Sequence, residues 1–153
     1  MKLIISILAV LLIGFISGFA TAKNVNGWYE TLNRPWFAPP NYLFGPVWTG
    51  LYIMMGVALW LIWKQPASVP YRNTALLLFI AQLVLNFFWT FIFFQWKQMG
   101  WALAEILVLW ALILVTIILF SKVNKTAAWL LVPYISWVSF ATILNYGYWR
   151  LNH

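Results

Sequence analysis

This chain of 153 residues has no cysteine, two acidic residues and one histidine. Without cysteine there is no disulfide framework, no thiolate chemistry and no thiol-ligated metal. The acids, Glu30 and Glu105, lie far apart in sequence, and the histidine is His153 at the end. No carboxylate cluster or histidine pair exists, so hydrolytic chemistry of the usual kinds has no apparatus and no metal site is expected. Charged residues make up 7% of the chain, against about 25% in soluble domains. A soluble helical bundle of this length needs polar outer faces, and there are too few polar residues to build them.

Apolar residues make up 65% of the chain, with 12 tryptophans and 7 tyrosines among them, and mean hydropathy is +0.88. The composition predicts an all-α integral membrane protein. Net charge is +7. The basic residues stand singly at the ends of apolar runs, which fits lipid headgroups rather than nucleic acid.

Five spans follow from the apolar runs, making one transmembrane domain over 1–153. The first, about 3–22, is long enough to cross a bilayer. Lys2 before it and Ala20-Thr21-Ala22 after it also fit a signal peptide, but the rest of the chain is as apolar, and a retained helix is the simpler reading. Gly14, Gly18 and Ala22 form a small-residue stripe that allows close contact, in the bundle interior or at a dimer face. Residues 23–43 are the longest polar connection. Pro35, Pro39 and Pro40 exclude a long helix there, while Trp28, Tyr29, Leu32, Trp36 and Phe37 need something to pack against. This segment is expected to fold over one end of the bundle, with a short helix near 27–32; an interfacial aromatic belt is the alternative. The remaining spans are expected at 44–63, 73–95, 100–120 and 127–149, with a turn over 121–126. Five basic residues on the N-terminal side against four on the other weakly favour a cytoplasmic N-terminus.

Aromatic and amide residues recur at helical spacing on three spans. Phe44, Trp48, Tyr52 and Met55 share one face, as do Gln82, Asn86, Trp89 and Phe93. Tyr134, Trp137, Ala141 and Asn145, extended by Tyr148, form the third. Polar groups at membrane depth are costly unless paired or used. The three faces fit a flat, mostly apolar cavity with a few directed donors, suited to a tetrapyrrole or a sterol. They fit equally an ordinary interhelical core, with Asn86 bonded to Asn145. Glu105, a turn into the fourth span, pairs with Lys97 or Arg150 or else faces headgroups. Residues 144–150 match the loose leucine, tyrosine, basic pattern proposed for sterol contact.

Ordered motifs run from the first loop to the end. They include Trp28-Tyr29, Pro35-Trp36, Pro39-Pro40, Phe44-Gly45-Pro46-Val47-Trp48-Thr49, Leu51-Tyr52, Leu85-Asn86-Phe87 with Trp89, and Gln98-Met99-Gly100-Trp101-Ala102. Pro133-Tyr134, Trp137, Leu144-Asn145-Tyr146 and Trp149-Arg150 complete them. In these the chain resembles the translocator protein family, also called tryptophan-rich sensory proteins or peripheral-type benzodiazepine receptors. The resemblance implies a five-helix bundle, commonly a homodimer, with a ligand cavity closed by the first loop. It implies binding of protoporphyrin IX, haem-like tetrapyrroles, sterols and benzodiazepine-site ligands, with no obligatory cofactor. By similarity Tyr52, Asn86, Phe87, Trp89, Ala141 and Asn145 are cavity positions. Trp48 and Trp137 match the tryptophans tied to light- and oxygen-dependent porphyrin breakdown. Glu105 and Lys97 stand where animal forms carry aspartate and arginine. The resemblance favours a membrane receptor or sensor for porphyrins. An enzyme of porphyrin degradation and a transporter of tetrapyrroles or sterols are the alternatives. A bacterial plasma membrane is the expected location, with the mitochondrial outer membrane second.

Overall fold

The computed structural model describes residues 1–25 and 27–152; His153 lies outside them. Every regular element among these is helical. Helix α1 spans Lys2–Val25, the short α2 Trp28–Thr31, α3 Phe44–Trp63, α4 Arg72–Thr90, α5 Met99–Val123, α6 Lys125–Leu130 and α7 Val132–Asn152. Five stretches are long and apolar enough to cross a membrane: Lys2–Val25, Asn41–Trp63, Arg72–Gln95, Met99–Val123 and Lys125–Asn152. In lipid every backbone polar group must be satisfied internally, so apolar runs of this length become helices.

The boundaries depart from the expected ones where local chemistry intervenes. A 3₁₀ turn over Asn41–Leu43 runs into α3, and Pro46 falls in the first turn of that helix, where its missing N–H costs nothing. The end of α4 widens into a π-helical turn, Phe91–Gln95, with the Trp96 amide bonded to the Phe91 carbonyl at 2.8 Å. Lys97, at φ 58°, then reverses the chain into α5. Most of the turn expected over 121–126 is helical, since α5 continues to Val123. Asn124 ends it and caps α6 by accepting from the Ala127 amide at 3.1 Å. The last span is interrupted at Leu131 rather than continuous. Pro133 has no N–H for the carbonyl four residues before it, and its ring crowds that turn.

Close approach of α1 to α3 depends on two glycines. A Cβ on Gly14 would sit 2.5 Å from Tyr52 Cδ2, and one on Gly56 would sit 2.6 Å from the Ile7 Cα. The buried Ser6 hydroxyl donates to the Gly56 carbonyl at 2.7 Å across the same seam. Elsewhere α4 packs on α5 and α5 on α7. Phe79 stacks on Phe120 at 5.9 Å, and the Trp110 indole donates to Ser139 at 2.8 Å. Exposed Leu8, Leu12, Leu77, Ile80, Leu107 and Val108 face outward, as the lipid-facing side of a membrane bundle requires.

Candidate functional site

At the end of the bundle where α1 finishes and α3 begins, the helices enclose a cavity of about 540 Å³. That volume falls within the roughly 300–1,000 Å³ range of small-molecule sites. The walls come from α1, α3, the end of α4 with its π turn, and α7, while α2 and the 3₁₀ turn close the top. Among the described residues no lysine, arginine, aspartate or glutamate lines it.

One wall is a run of touching rings. Trp48 stacks on Tyr52 at 5.6 Å and meets Trp137 edge-on at 6.4 Å. Trp137 in turn contacts Phe140 at 5.5 Å and Phe44 at 6.4 Å. Also on the lining, Trp89 packs on Phe93 at 5.6 Å, and its indole N–H donates to Asn145 Oδ1 at 3.0 Å. Asn145 Nδ2 donates to the Met99 carbonyl at 2.9 Å, which ties the α4 wall to α7 and to the start of α5.

Beneath the cavity lies a buried polar chain. The Tyr52 hydroxyl donates to Asn86 Oδ1 at 3.0 Å, Asn86 Nδ2 donates to the Tyr134 hydroxyl at 2.8 Å, and that hydroxyl donates to Gln82 Oε1 at 2.7 Å. Gln82 Nε2 ends the chain on the Phe79 carbonyl at 2.9 Å. Each amide thereby satisfies a group that would be costly to strand in an apolar interior.

The loop over the top is fastened at both ends. Asn41 donates to the Val25 carbonyl and to Glu30, each at 3.2 Å, and the Arg34 guanidinium donates to the Ala38 and Pro39 carbonyls. At the far end Asn33 N donates to Asn152 Oδ1 at 2.7 Å. Asn152 Nδ2 donates back to the Asn33 carbonyl at 3.0 Å, and Asn33 Nδ2 donates to the Leu151 carbonyl at 3.1 Å. Between them Tyr29 packs on Tyr148 at 4.7 Å and on Phe94 at 5.4 Å. Burial, with Tyr148 adding to it, holds the Tyr29 phenol well above its ordinary pKa, so the ring stays neutral.

Of the residues marked in the sequence, Trp48, Tyr52, Trp89, Phe93, Trp137, Ala141 and Asn145 line the cavity. Four do not. Gln82, Asn86 and Tyr134 belong to the polar chain below it. Phe87 is half-buried against Phe88 and Phe91. The Asn86–Asn145 bond is not formed, because each amide has other partners. Glu105 pairs with neither Lys97 nor Arg150; both its oxygens are buried without a hydrogen-bond partner. Sequence reasoning missed the α1 wall, where Gly14, Gly18 and Ala22 line the cavity beside Ser17 and Thr21. The small-residue stripe was the available signal. It also missed Phe94, Phe140 and Leu144 as lining residues, whereas Phe44 from the expected α3 face and Tyr29 from the expected lid do line the cavity.

Fold and cavity together define the class: an integral membrane protein of five spanning helices with a receptor-type, small-molecule-sized chamber at one end of the bundle. Within that class the chain belongs to the TspO/MBR family, whose sequence profile matches residues 6–150. It is 41% identical to the tryptophan-rich protein TspO of Archaeoglobus fulgidus over 99% of this chain and 97% of that one. Identity to the Homo sapiens translocator protein is also 41%, over 88% and 83% of the two chains. The tryptophan-rich sensory protein of Cereibacter sphaeroides is 38% identical over 82% and 77%.

Proposed function

We propose that the protein is a membrane receptor or sensor whose chamber takes a flat, hydrophobic guest, with protoporphyrin IX or a haem-like tetrapyrrole as the foremost candidate and drug-like aromatic ligands as others. The observation that carries the reading is the aromatic lining, with the ring pairs Trp48–Tyr52 and Trp89–Phe93, around about 540 Å³. A lining this rich in aromatic rings favours a planar π-system by stacking and dispersion. The lining carries no charged side chain among the described residues, which suits an uncharged macrocycle inside with its propionates at the mouth. A bacterial plasma membrane is the proposed location, supported by relatives of prokaryotic origin over nearly the whole chain, with the mitochondrial outer membrane as the alternative because the human relative is equally similar; a homodimer is the proposed state.

Titrating the purified protein with protoporphyrin IX tests the reading. Tryptophan fluorescence should quench saturably at one site per chain. Unsaturable quenching, or the same isotherm after Gly18→Trp fills the chamber, would refute it.

A second reading, light- and oxygen-dependent porphyrin degradation, draws support from the contact between Trp48 and Trp137 on the lining. Two touching indoles beside an excited macrocycle are placed to relay an electron. Trp48→Phe and Trp137→Phe should then abolish a defined product under illumination while binding persists. Equal bleaching in both variants and the parent rejects degradation and leaves the receptor reading standing. A transporter reading requires ligand counterflow in proteoliposomes.

A further inference from the structure

We propose that the end of the bundle opposite the chamber is a docking surface for anionic phospholipid headgroups, built around the α3–α4 turn. The inference does not rest on what the chamber binds.

Four cations gather there, three of them over aromatic rings and the fourth on the Trp63 backbone. Lys2 Nζ lies over the Trp63 ring at 5.1 Å, and Lys64 Nζ over Trp60 at 4.4 Å. Arg72 donates to the Trp63 carbonyl at 2.8 Å and to Asn73 Oδ1 at 2.9 Å. Next to it Tyr71, held at φ 69°, lies under Lys122 Nζ at 5.5 Å. The contacts therefore run from α1 through the α3–α4 turn to the end of α5. Lys2, Lys64 and Lys122 are all exposed. An aromatic face attracts an ammonium group and offers no lone pair of ordinary strength, so the N–H donors remain available to an anion.

Nothing acidic answers these charges. The chain has two carboxylate side chains, and both belong to the other half of the bundle. Glu30 accepts from Asn41 in the loop over the chamber, and Glu105 lies in the second turn of α5, which starts at that end. Lys125 adds a fifth cation at the start of α6, where exposed Trp129 continues the aromatic rim. At the chamber end the balance differs. Glu30 shares that end with Lys23, Arg34, Lys97 and Arg150, and Arg34 is turned onto carbonyls of its own loop. Like charges gathered at one end of the bundle repel one another unless anions are supplied. At the end of five membrane spans, lipid phosphates supply them in the plane where the indoles already sit.

The experiment uses the full chain in phosphatidylcholine vesicles containing trace spin-labelled phosphatidylglycerol or spin-labelled phosphatidylcholine. The motionally restricted fraction of each gives their relative affinity. A preference of several-fold for phosphatidylglycerol is expected, at about fivefold per engaged lysine at low salt, and it should shrink as salt rises. The Lys2→Gln, Lys64→Gln, Lys122→Gln triple variant should fall to near parity. Lys23→Gln with Lys97→Gln, which removes charge from the other end, should keep the preference. Parity in the unmodified protein overturns the proposal, as does a triple variant that stays selective or a control that loses selectivity equally. Should the triple variant fail to fold, the unmodified protein decides: a preference unaffected by roughly 0.5 M salt refutes a charge-built site.

Discussion

Asn152→Ala should loosen the roof of the chamber without disturbing its walls. The change deletes two bonds between the last helix and the loop, Asn33 N to Asn152 Oδ1 at 2.7 Å and Asn152 Nδ2 to the Asn33 carbonyl at 3.0 Å. One cross-link stays, from Asn33 Nδ2 to the Leu151 carbonyl at 3.1 Å. These groups are exposed, so water replaces the lost partners and each bond is worth only about 0.5–1 kcal/mol net. Two of them sum to about 1–2 kcal/mol, which multiplies the opening equilibrium of the loop by roughly 5 to 30. Apolar seating is untouched: Tyr29 still packs on Tyr148, and Gly147 still leaves room for Pro35, whose Cγ would come within 2.9 Å of a Cβ there. The loop therefore opens more often and is not lost. Hydrogen exchange reads this directly. Amides over 28–43 should exchange about 5 to 30 times faster, while those of α4 and α5 keep their protection. If protoporphyrin occupies the chamber and leaves beneath the loop, its dissociation should quicken by a similar factor. Asn33→Ala keeps both bonds to Asn152, which use the Asn33 backbone, and deletes only the Asn33 Nδ2 bond to the Leu151 carbonyl; it should speed exchange less, by about 2- to 5-fold, and the double variant should exceed either single one. Loop exchange unchanged within about twofold would show that these amides do not fasten the roof, and the reasoning would fail.

Other outcomes follow from single distances. Gly14→Ala places a Cβ 2.5 Å from Tyr52 Cδ2 and should lower stability by about 1–3 kcal/mol in detergent melts. Gly18 has open space, so Gly18→Leu should melt like the parent yet weaken porphyrin binding by about tenfold or more; equal melting losses in both variants would contradict the packing described. Asn86→Leu strands the Tyr52 hydroxyl and removes a partner of Tyr134, at a cost of about 1–3 kcal/mol measured in the same melts, and an unchanged midpoint would count against the buried chain. Protoporphyrin dimethyl ester should quench tryptophan fluorescence at least as tightly as the free diacid, because the chamber lining has no cation; a tenfold preference for the diacid would oppose this.

The sequence by itself determined that five apolar runs become helices, since lipid leaves the backbone no other partner for its polar groups. Helical periodicity likewise identified which faces carry rings and amides. Periodicity says nothing of depth or of the neighbouring helix. On α4 and the π turn that ends it a single face carries Gln82, Asn86, Trp89 and Phe93, yet only the last two reach the chamber. The first two lie a turn or more below, where Tyr52 and Tyr134 approach from α3 and α7. That division was decided by tertiary structure. Gly56, and Gly14 at the edge of the chamber, draw α1 onto α3, while beyond Gly14 α1, α3, α4 and α7 stand apart around the space that Gly18, Trp48 and Trp137 line. Side-chain volume at a few crossings set where the helices touch and where they part, and no one-dimensional pattern records it.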